Sequence, residues 1–303
     1  MNSFNRGLDS TFVAAFNEEY DGSGWLRGLV DDKDIFLAVR QNYVNFYHLG
    51  SSLLKLECLN GALVGQIHYK YLLRPDADNP YIKTLNGRPD LPNDAKELFL
   101  LGFEDVKALK TAARPYAGPE KTGVHNIVRD NPNILDVEIA FGTGGADEAR
   151  ASAPRVDFAA IRCANERATV VLYEAKHFDN RQALRSEQGN VPKVVEQIEA
   201  YSDLLETYRE EVITSYRCVC CNLLALRGLA ERHPERQAML KKIADGSRKL
   251  KLDPHPRLVV FGFDADQRSG DNWRPHRDRL RKLLNGRLLL KGHSEKFVRG
   301  ISR

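Results

Sequence analysis

The chain has 303 residues, 42% hydrophobic and 28% charged, with a net charge of +4, enough for two domains with a sizeable core. No apolar run reaches the roughly 18 residues of a membrane span, and Met1-Asn-Ser-Phe-Asn5 is polar rather than a leader, so a cytoplasmic protein with no membrane partner is expected. Five cysteines (Cys58, Cys163, Cys218, Cys220 and Cys221) without regular spacing argue for reduced thiols, against both a disulfide framework and an iron–sulfur cluster.

In chain order, residues 1–115 are expected to form a β-rich amino-terminal domain ending in a helix. Short β-like runs at Ile35–Val39, Tyr43–Tyr47, Leu53–Leu56 and Leu63–Ile67 are separated by turns at Leu49-Gly50-Ser51 and Asn60-Gly61, Asn-Gly being a strong hairpin signal. Pro75–Pro92 reads as a loop and Asp94–Ala113 as a helix. Arg40, Tyr43, Tyr47 and His68-Tyr-Lys-Tyr71 mix aromatic and basic groups that could stack on bases or grip phosphates. Alternation on any exposed sheet yields the same mixture.

Residues 116–266 form the expected chemical core. Glu120 opens a short helical stretch to Arg129, and Ile134–Phe141, holding Glu138, reads as a first strand. Gly118-Pro-Glu-Lys-Thr122 lacks the glycine that precedes lysine in a P-loop. Gly142-Thr-Gly-Gly145 follows a strand but opens no helix pattern, so it reads as a loop rather than a nucleotide cradle. Arg155–Arg162 and Thr169–His177 are rich in Val, Ile, Tyr and Phe and read as strands.

Between those strands Ala164-Asn165-Glu166-Arg167 is polar and hairpin-sized. A symmetric hairpin pairs 164 with 167 and 163 with 168, which sets Asp157 opposite Glu174 and Arg155 opposite Lys176. Cross-strand partners share a face with Cβ atoms about 5 Å apart, and alternate residues share a face. Asp157, Glu174 and Lys176 are therefore expected to converge; a slip of one residue would send Asp157 to the other face. Four acid-x-Lys tripeptides occur, beginning at Asp31, Asp94, Asp105 and Glu174, but only Glu174-Ala175-Lys176 closes a β-branched apolar run just after an acid-bearing strand.

Two opposed carboxylates repel unless something neutralises them. Mg²⁺, or Mn²⁺ in its place, suits that role, because such an ion takes one or two carboxylates, keeps several waters and bridges to phosphate oxygens. Lys176 would hold the attacking water or offset charge building on the phosphate; the alternative is a surface hairpin whose Asp157, Glu174 and Lys176 form solvated ion pairs. A helix follows from Val191-Pro192 with Val194, Ile198, Tyr201, Leu204 and Leu205 near helical spacing. Gln197 and Tyr201 fall at i and i+4 on one of its faces, either toward the site or as boundary and core positions.

In order and spacing, Arg155-Val-Asp157, Glu174-Ala-Lys176 and Gln197-x-x-x-Tyr201 resemble the PD-(D/E)xK nuclease superfamily, and within it the RecB-like exonuclease branch, over roughly residues 118–264. The resemblance implies a restriction-endonuclease-like α/β core, a mixed sheet flanked by helices with the Asp and Glu-x-Lys strands adjacent, and a further strand at Arg257–Asp264. It also implies that Asp157, Glu174 and the Ala175 carbonyl bind metal, that Lys176 serves the water, and that Gln197 and Tyr201 touch the substrate backbone or brace the site. Either Glu120 or Glu138 could supply the extra carboxylate the superfamily usually adds; a solvated helix end for Glu120 and a strand-edge acid for Glu138 are the alternatives.

Residues 267–303 carry eight Arg and three Lys against three acids, a charge of +8 that leaves the rest of the chain at −4. Trp273–Leu284 reads as a basic helix presenting Arg274, Arg277 and Arg281 to phosphates, or else as a solvated helix packed by Leu280, Leu283 and Leu284. The expected activity is metal-dependent cleavage of nucleic acid, DNA above all, in defence, restriction or repair. The alternative is an inactive nuclease-fold module that binds nucleic acid or assembles with a protein partner or a second copy.

Overall fold

Two six-stranded sheets organise the chain, one antiparallel throughout and one mixed. The computed structural model describes residues 4–22, 24–72, 81–89, 106–141, 155–164, 166–187, 190–229 and 231–292. Two compact units result: Asn5–Gly118 with Arg217–Ser247, and Met1–Phe4 with Pro119–Tyr216 and Arg248–Arg303.

In the first unit, helices α1 (Ser10–Gly22) and α2 (Gly24–Asp31) precede a meander of β1 (Phe36–Val39), β2 (Tyr43–His48), β3 (Ser51–Leu59), β4 (Ala62–His68), β5 (Tyr81–Leu85) and β6 (Arg88–Pro89). Burial alternates along β2 and β4, as it must when one sheet face is packed and the other open. The turn at Asn60-Gly61 places both residues at positive φ, 52° and 81°, the demand of a two-residue primed turn. Asn86-Gly87 repeats it at 50° and 78°, so part of the stretch expected as loop, Pro75–Pro92, is the β5–β6 hairpin. Of the helix expected over Asp94–Ala113, α3 (Val106–Ala113) is observed, and Asp94–Asp105 lies outside the described residues. Helix α1 went unanticipated because only Phe12 and Phe16 mark its buried stripe; Asp9 Oδ1, accepting from Phe12 N at 2.7 Å, supplied a start signal.

The second unit contains α4 (Pro119–Asp130), β7 (Ile134–Ala140), β8 (Arg155–Ala164), β9 (Arg167–His177), α5 (Arg181–Leu184) and α6 (Lys193–Thr207). It continues with the first half of α7 (Arg209–Ala225), and α8 (Pro234–Ala244) belongs to the other unit. Then come β10 (Lys249–Leu252), β11 (Arg257–Phe261), α9 (Ala265–Ser269), α10 (Arg274–Leu284) and β12 (Leu288–Leu290). The sheet runs β12-β11-β9-β8-β7, antiparallel from β7 to β9 and parallel from β9 to β12, with β10 beside the first half of β9. Leu258–Phe261 of β11 are all fully buried, as parallel strands covered on both faces require.

The contact division differs from a boundary at 115/116 with a separate basic tail. Residues 217–247 join the first unit, and α10 is built into the second, because Trp273, Leu280 and Leu284 pack in one cluster with Val194, Ile198, Leu258 and Val260. Among the described residues no helix is long and apolar enough to cross a membrane.

Candidate active site

The β8–β9 hairpin has the expected register, with Ala164 opposite Arg167, Cys163 opposite Ala168 and Phe158 opposite Tyr173. The ladder stops at that last pair, one residue short of Asp157 and Glu174. The next β9 donor facing β8, the Ala175 amide, goes instead to Asp157 Oδ2 at 2.6 Å. A side chain thus stands in for a main-chain acceptor where the strands part, and Arg155 pairs with Ala140 of β7 rather than with Lys176. In an extended strand the N–H and C=O of one residue point to the same edge, so the Ala175 carbonyl leaves β9 on the Asp157 side.

Glu174 is 1% exposed. Its Oε1 lies 2.6 Å from Lys176 Nζ, and its buried Oε2 has no hydrogen-bond partner. Burial pushes the Glu174 carboxyl up to about 7, against the pull of the Lys176 charge. Burial, then the Glu174 charge, raise Asp157 well above the carboxylate range, opposed by Lys176 and the Ala175 amide. For Lys176, burial alone would lower proton affinity, but Glu174, Asp157 and Glu120 outweigh it and hold the ammonium charged. A buried carboxylate oxygen with nothing to accept from is costly, so the arrangement is poised for a cation or donor.

The two candidate extra acids have different surroundings. Glu120, in the first turn of α4, places Oε1 3.5 Å from Lys176 Nζ. Its Oε2 accepts from His177 N at 3.3 Å and Asn180 Nδ2 at 3.0 Å. Close packing sets α4 there: a Cβ on Gly123 would sit 2.0 Å from the Phe261 ring. Glu138 Oε2 lies 3.8 Å from Arg155 Nη1, and its charge raises both Asp157 and Glu174. Its φ of 51° in a strand is strained backbone for a non-glycine residue beside the site.

Tyr201 is fully buried. Its hydroxyl donates to the Arg155 carbonyl at 2.5 Å and accepts from Gln197 Nε2 at 2.6 Å. The pair therefore braces the start of β8, two residues before Asp157, and Tyr201 is placed to support the strand. Burial, then the Glu174 charge, raise its phenol. Asn180 and His177, neither singled out from sequence, fix Glu120; Asn180 also caps α5, accepting from Ala183 N at 3.2 Å, and Asn before a short turn was the available signal.

The basic helix forms, but its three arginines already have partners. Arg274 Nη2 is 3.0 Å from Asp271, and Arg277 Nε and Arg281 Nη1 share Asp278 at 2.9 and 3.5 Å. Trp273 is buried at its head.

Among the described residues no group of three or more His, Cys, Asp or Glu is disposed to hold a metal. A Mg²⁺-type ion needs only one or two carboxylates with a carbonyl and waters. Asp157, Glu174 and the Ala175 carbonyl suit that donor set, with Glu174 Oε2 open. A bound dication would displace the protons that burial favours on Asp157 and Glu174, and their two charges would complement it. Compared with protein-family models, curated proteins and solved structures, the chain has no match.

Proposed function

We propose that this chain is a divalent-metal-dependent nuclease with a restriction-endonuclease-like core of the PD-(D/E)xK type, hydrolysing phosphodiester bonds in nucleic acid, DNA in particular. One observation carries the reading: a buried carboxylate, Glu174, and a half-buried one, Asp157, both of raised proton affinity, meet at the end of a hairpin, with one buried Glu174 oxygen unpaired and a charged lysine 2.6 Å from the other. Structural ion pairs also perturb carboxylates, but they rarely leave a buried oxygen unused. The mixed sheet, α4 before its first strand and α6 bracing the Asp157 strand are the support the superfamily resemblance calls for.

Asp157, Glu174 and the Ala175 carbonyl would hold Mg²⁺ or Mn²⁺, which supplies an acidified water and neutralises charge on the phosphate. Lys176 keeps its proton, so it acts as a donor and a charge: it orients the water and stabilises charge building on phosphate oxygens. It is not the base. Glu120, held by Asn180 and the His177 amide, gives the Lys176 ammonium a second carboxylate at 3.5 Å. Tyr201 and Gln197 keep Arg155 and thus Asp157 in register.

The test is purified protein with labelled single- and double-stranded DNA and RNA, in Mg²⁺, Mn²⁺ or EDTA. Cleavage should need the metal and vanish in Asp157→Ala, Glu174→Ala and Lys176→Ala proteins that remain folded. Full activity in EDTA, or in these variants, would overturn the reading. Metal-tight binding without cleavage would leave an inactive binding module.

A further inference from the structure

We infer that Arg181, Arg185, His276 and Arg279 form the surface that takes the sugar-phosphate backbone of a nucleic acid next to the carboxylate site, an assignment that rests on the nuclease reading above. The four come from two segments joined by contacts. Helix α5 begins directly after Asn180, whose Nδ2 holds Glu120, so Arg181 is one residue from the frame of the site. Arg185 lies over the Phe178 ring at 5.4 Å and the Trp273 ring at 5.9 Å, and its buried Nε has no partner. From α10, Arg279 Nη1 reaches the Glu187 carbonyl at 2.9 Å, which ties that helix to the chain just beyond Arg185.

Charge in this patch is crowded and mainly positive, with Asp179 the acid that acts on Arg185. After burial, the groups acting on Arg185 are Arg181, which lowers its proton affinity, and Asp179, which raises it. His276 is lowered by burial, then by Arg185 and Arg279. Like charges gathered on one surface favour an anion. Guanidinium groups bind phosphate through forked donors, and rings hold Arg185 in place at little entropic cost. The contrast with Arg274, Arg277 and Arg281 decides between the two basic faces, because those three are matched to Asp271 and Asp278. A phosphodiester seated at Asp157 and Glu174 brings neighbouring phosphates of its own strand, and this patch supplies cations beside it. An acidic protein face would meet the same charges but has no reason to lie next to the carboxylates.

The experiment is fluorescence anisotropy of the full chain with labelled single-stranded DNA, duplex DNA and RNA in EDTA, over a range of salt. Arg181→Gln/Arg279→Gln should raise Kd about tenfold or more and reduce the slope of log K against log salt by about two, one per lost phosphate contact. Arg274→Gln/Arg281→Gln should change Kd less than about threefold. If the first pair lowers the Tm, Arg181→Gln alone is read in its place, with a slope smaller by about one. An unchanged Kd and slope in the patch variants overturns the inference, as does wild-type protein that binds none of the three nucleic acids. The outcome is separate from catalysis. Binding through the patch with no cleavage in Mg²⁺ keeps the patch and removes the nuclease reading. Cleavage by patch variants that bind as tightly as wild type does the reverse.

Discussion

The two sheets have equal strand numbers but treat charge in opposite ways. Among the described residues of the amino-terminal unit, several basic groups meet a ring or an acid close by. Lys55 lies over Tyr43 at 4.6 Å and pairs with Glu57; Arg40 lies over Tyr47 at 5.8 Å. Lys70 sits between Tyr71 and Tyr116 at 5.0 and 4.8 Å, and Lys110 lies 2.7 and 3.2 Å from Asp32 and Asp34. Of the groups that could have stacked on bases, Arg40, Tyr43, Tyr47, Lys70 and Tyr71 thus each have a ring or cation partner nearby. In the mixed sheet, carboxylates outnumber the lysine that faces them, and one buried oxygen has no partner. Balanced charge at a half-exposed sheet is ordinary stability. A buried excess costs stability and persists where function uses it.

The largest expected contrast is in activity. Asp157→Asn and Glu174→Gln should each lower turnover on the order of a thousandfold or more, while Lys55→Ala leaves it unchanged. In EDTA at pH 8 the Tm should not fall for Asp157→Asn, which removes a carboxyl whose charge burial and Glu174 disfavour, whereas Glu174→Gln takes the 2.6 Å partner from the Lys176 ammonium and should lower it. A Glu174→Gln protein that cleaves normally would place both sheets in the same class.

Next comes Lys176→Met, which strands Glu174 and should cost about 3–5 kcal/mol in urea denaturation at pH 8. The loss should shrink at pH 5, where Glu174 can take up a proton instead. Lys110→Met, at a pair about a fifth exposed, should cost on the order of 1 kcal/mol, with little difference between the two pH values.

The same buried excess sets a pH dependence. Glu174 has its folded value near 7 against an ordinary 4.5, so between those values the folded chain keeps a proton that the unfolded chain has released. Metal-free stability should therefore be greatest below about pH 4.5 as far as this group is concerned, fall by about 3 kcal/mol up to pH 7, and level off above. Mg²⁺ or Mn²⁺ competes with that proton, so the Tm gain on adding metal should be larger at pH 8 than at pH 5.5. An equal gain at both would mean the ion binds elsewhere.

The smallest effect is at the brace. Tyr201→Phe removes one buried hydroxyl between Gln197 and the Arg155 carbonyl, and should cost about 1–2 kcal/mol in denaturation. It should also weaken metal affinity a few-fold as Asp157 loses its support. Loss of stability with unchanged metal affinity would make Tyr201 a core residue and nothing more.

The β8–β9 hairpin was legible residue by residue, because a short turn between two apolar strands leaves one register that buries the right face, and alternation then places Asp157, Glu174 and Lys176 together. The same logic recovered β2, β3 and β4, and it could have recovered β5–β6 from Asn86-Gly87 had the prolines around it not suggested a loop. What local pattern cannot reach is which distant groups arrive. Glu120 and Glu138 were equal candidates by sequence; the packing of Gly123 on Phe261 brings Glu120 to Lys176, while Glu138, beside Arg155, is close enough for its charge to act on Asp157 and Glu174. The basic helix showed its charge but not that Asp271 and Asp278 lie within reach of its arginines, nor that Trp273 turns inward to carry Arg185. By itself, then, the sequence determined the acid–acid–lysine face, since adjacent strands and a short turn are governed by steric period. Only the tertiary structure decided how Glu120 and Glu138 meet it, where the chain divides and which cations stay uncompensated, because those depend on the packing of elements far apart in the chain.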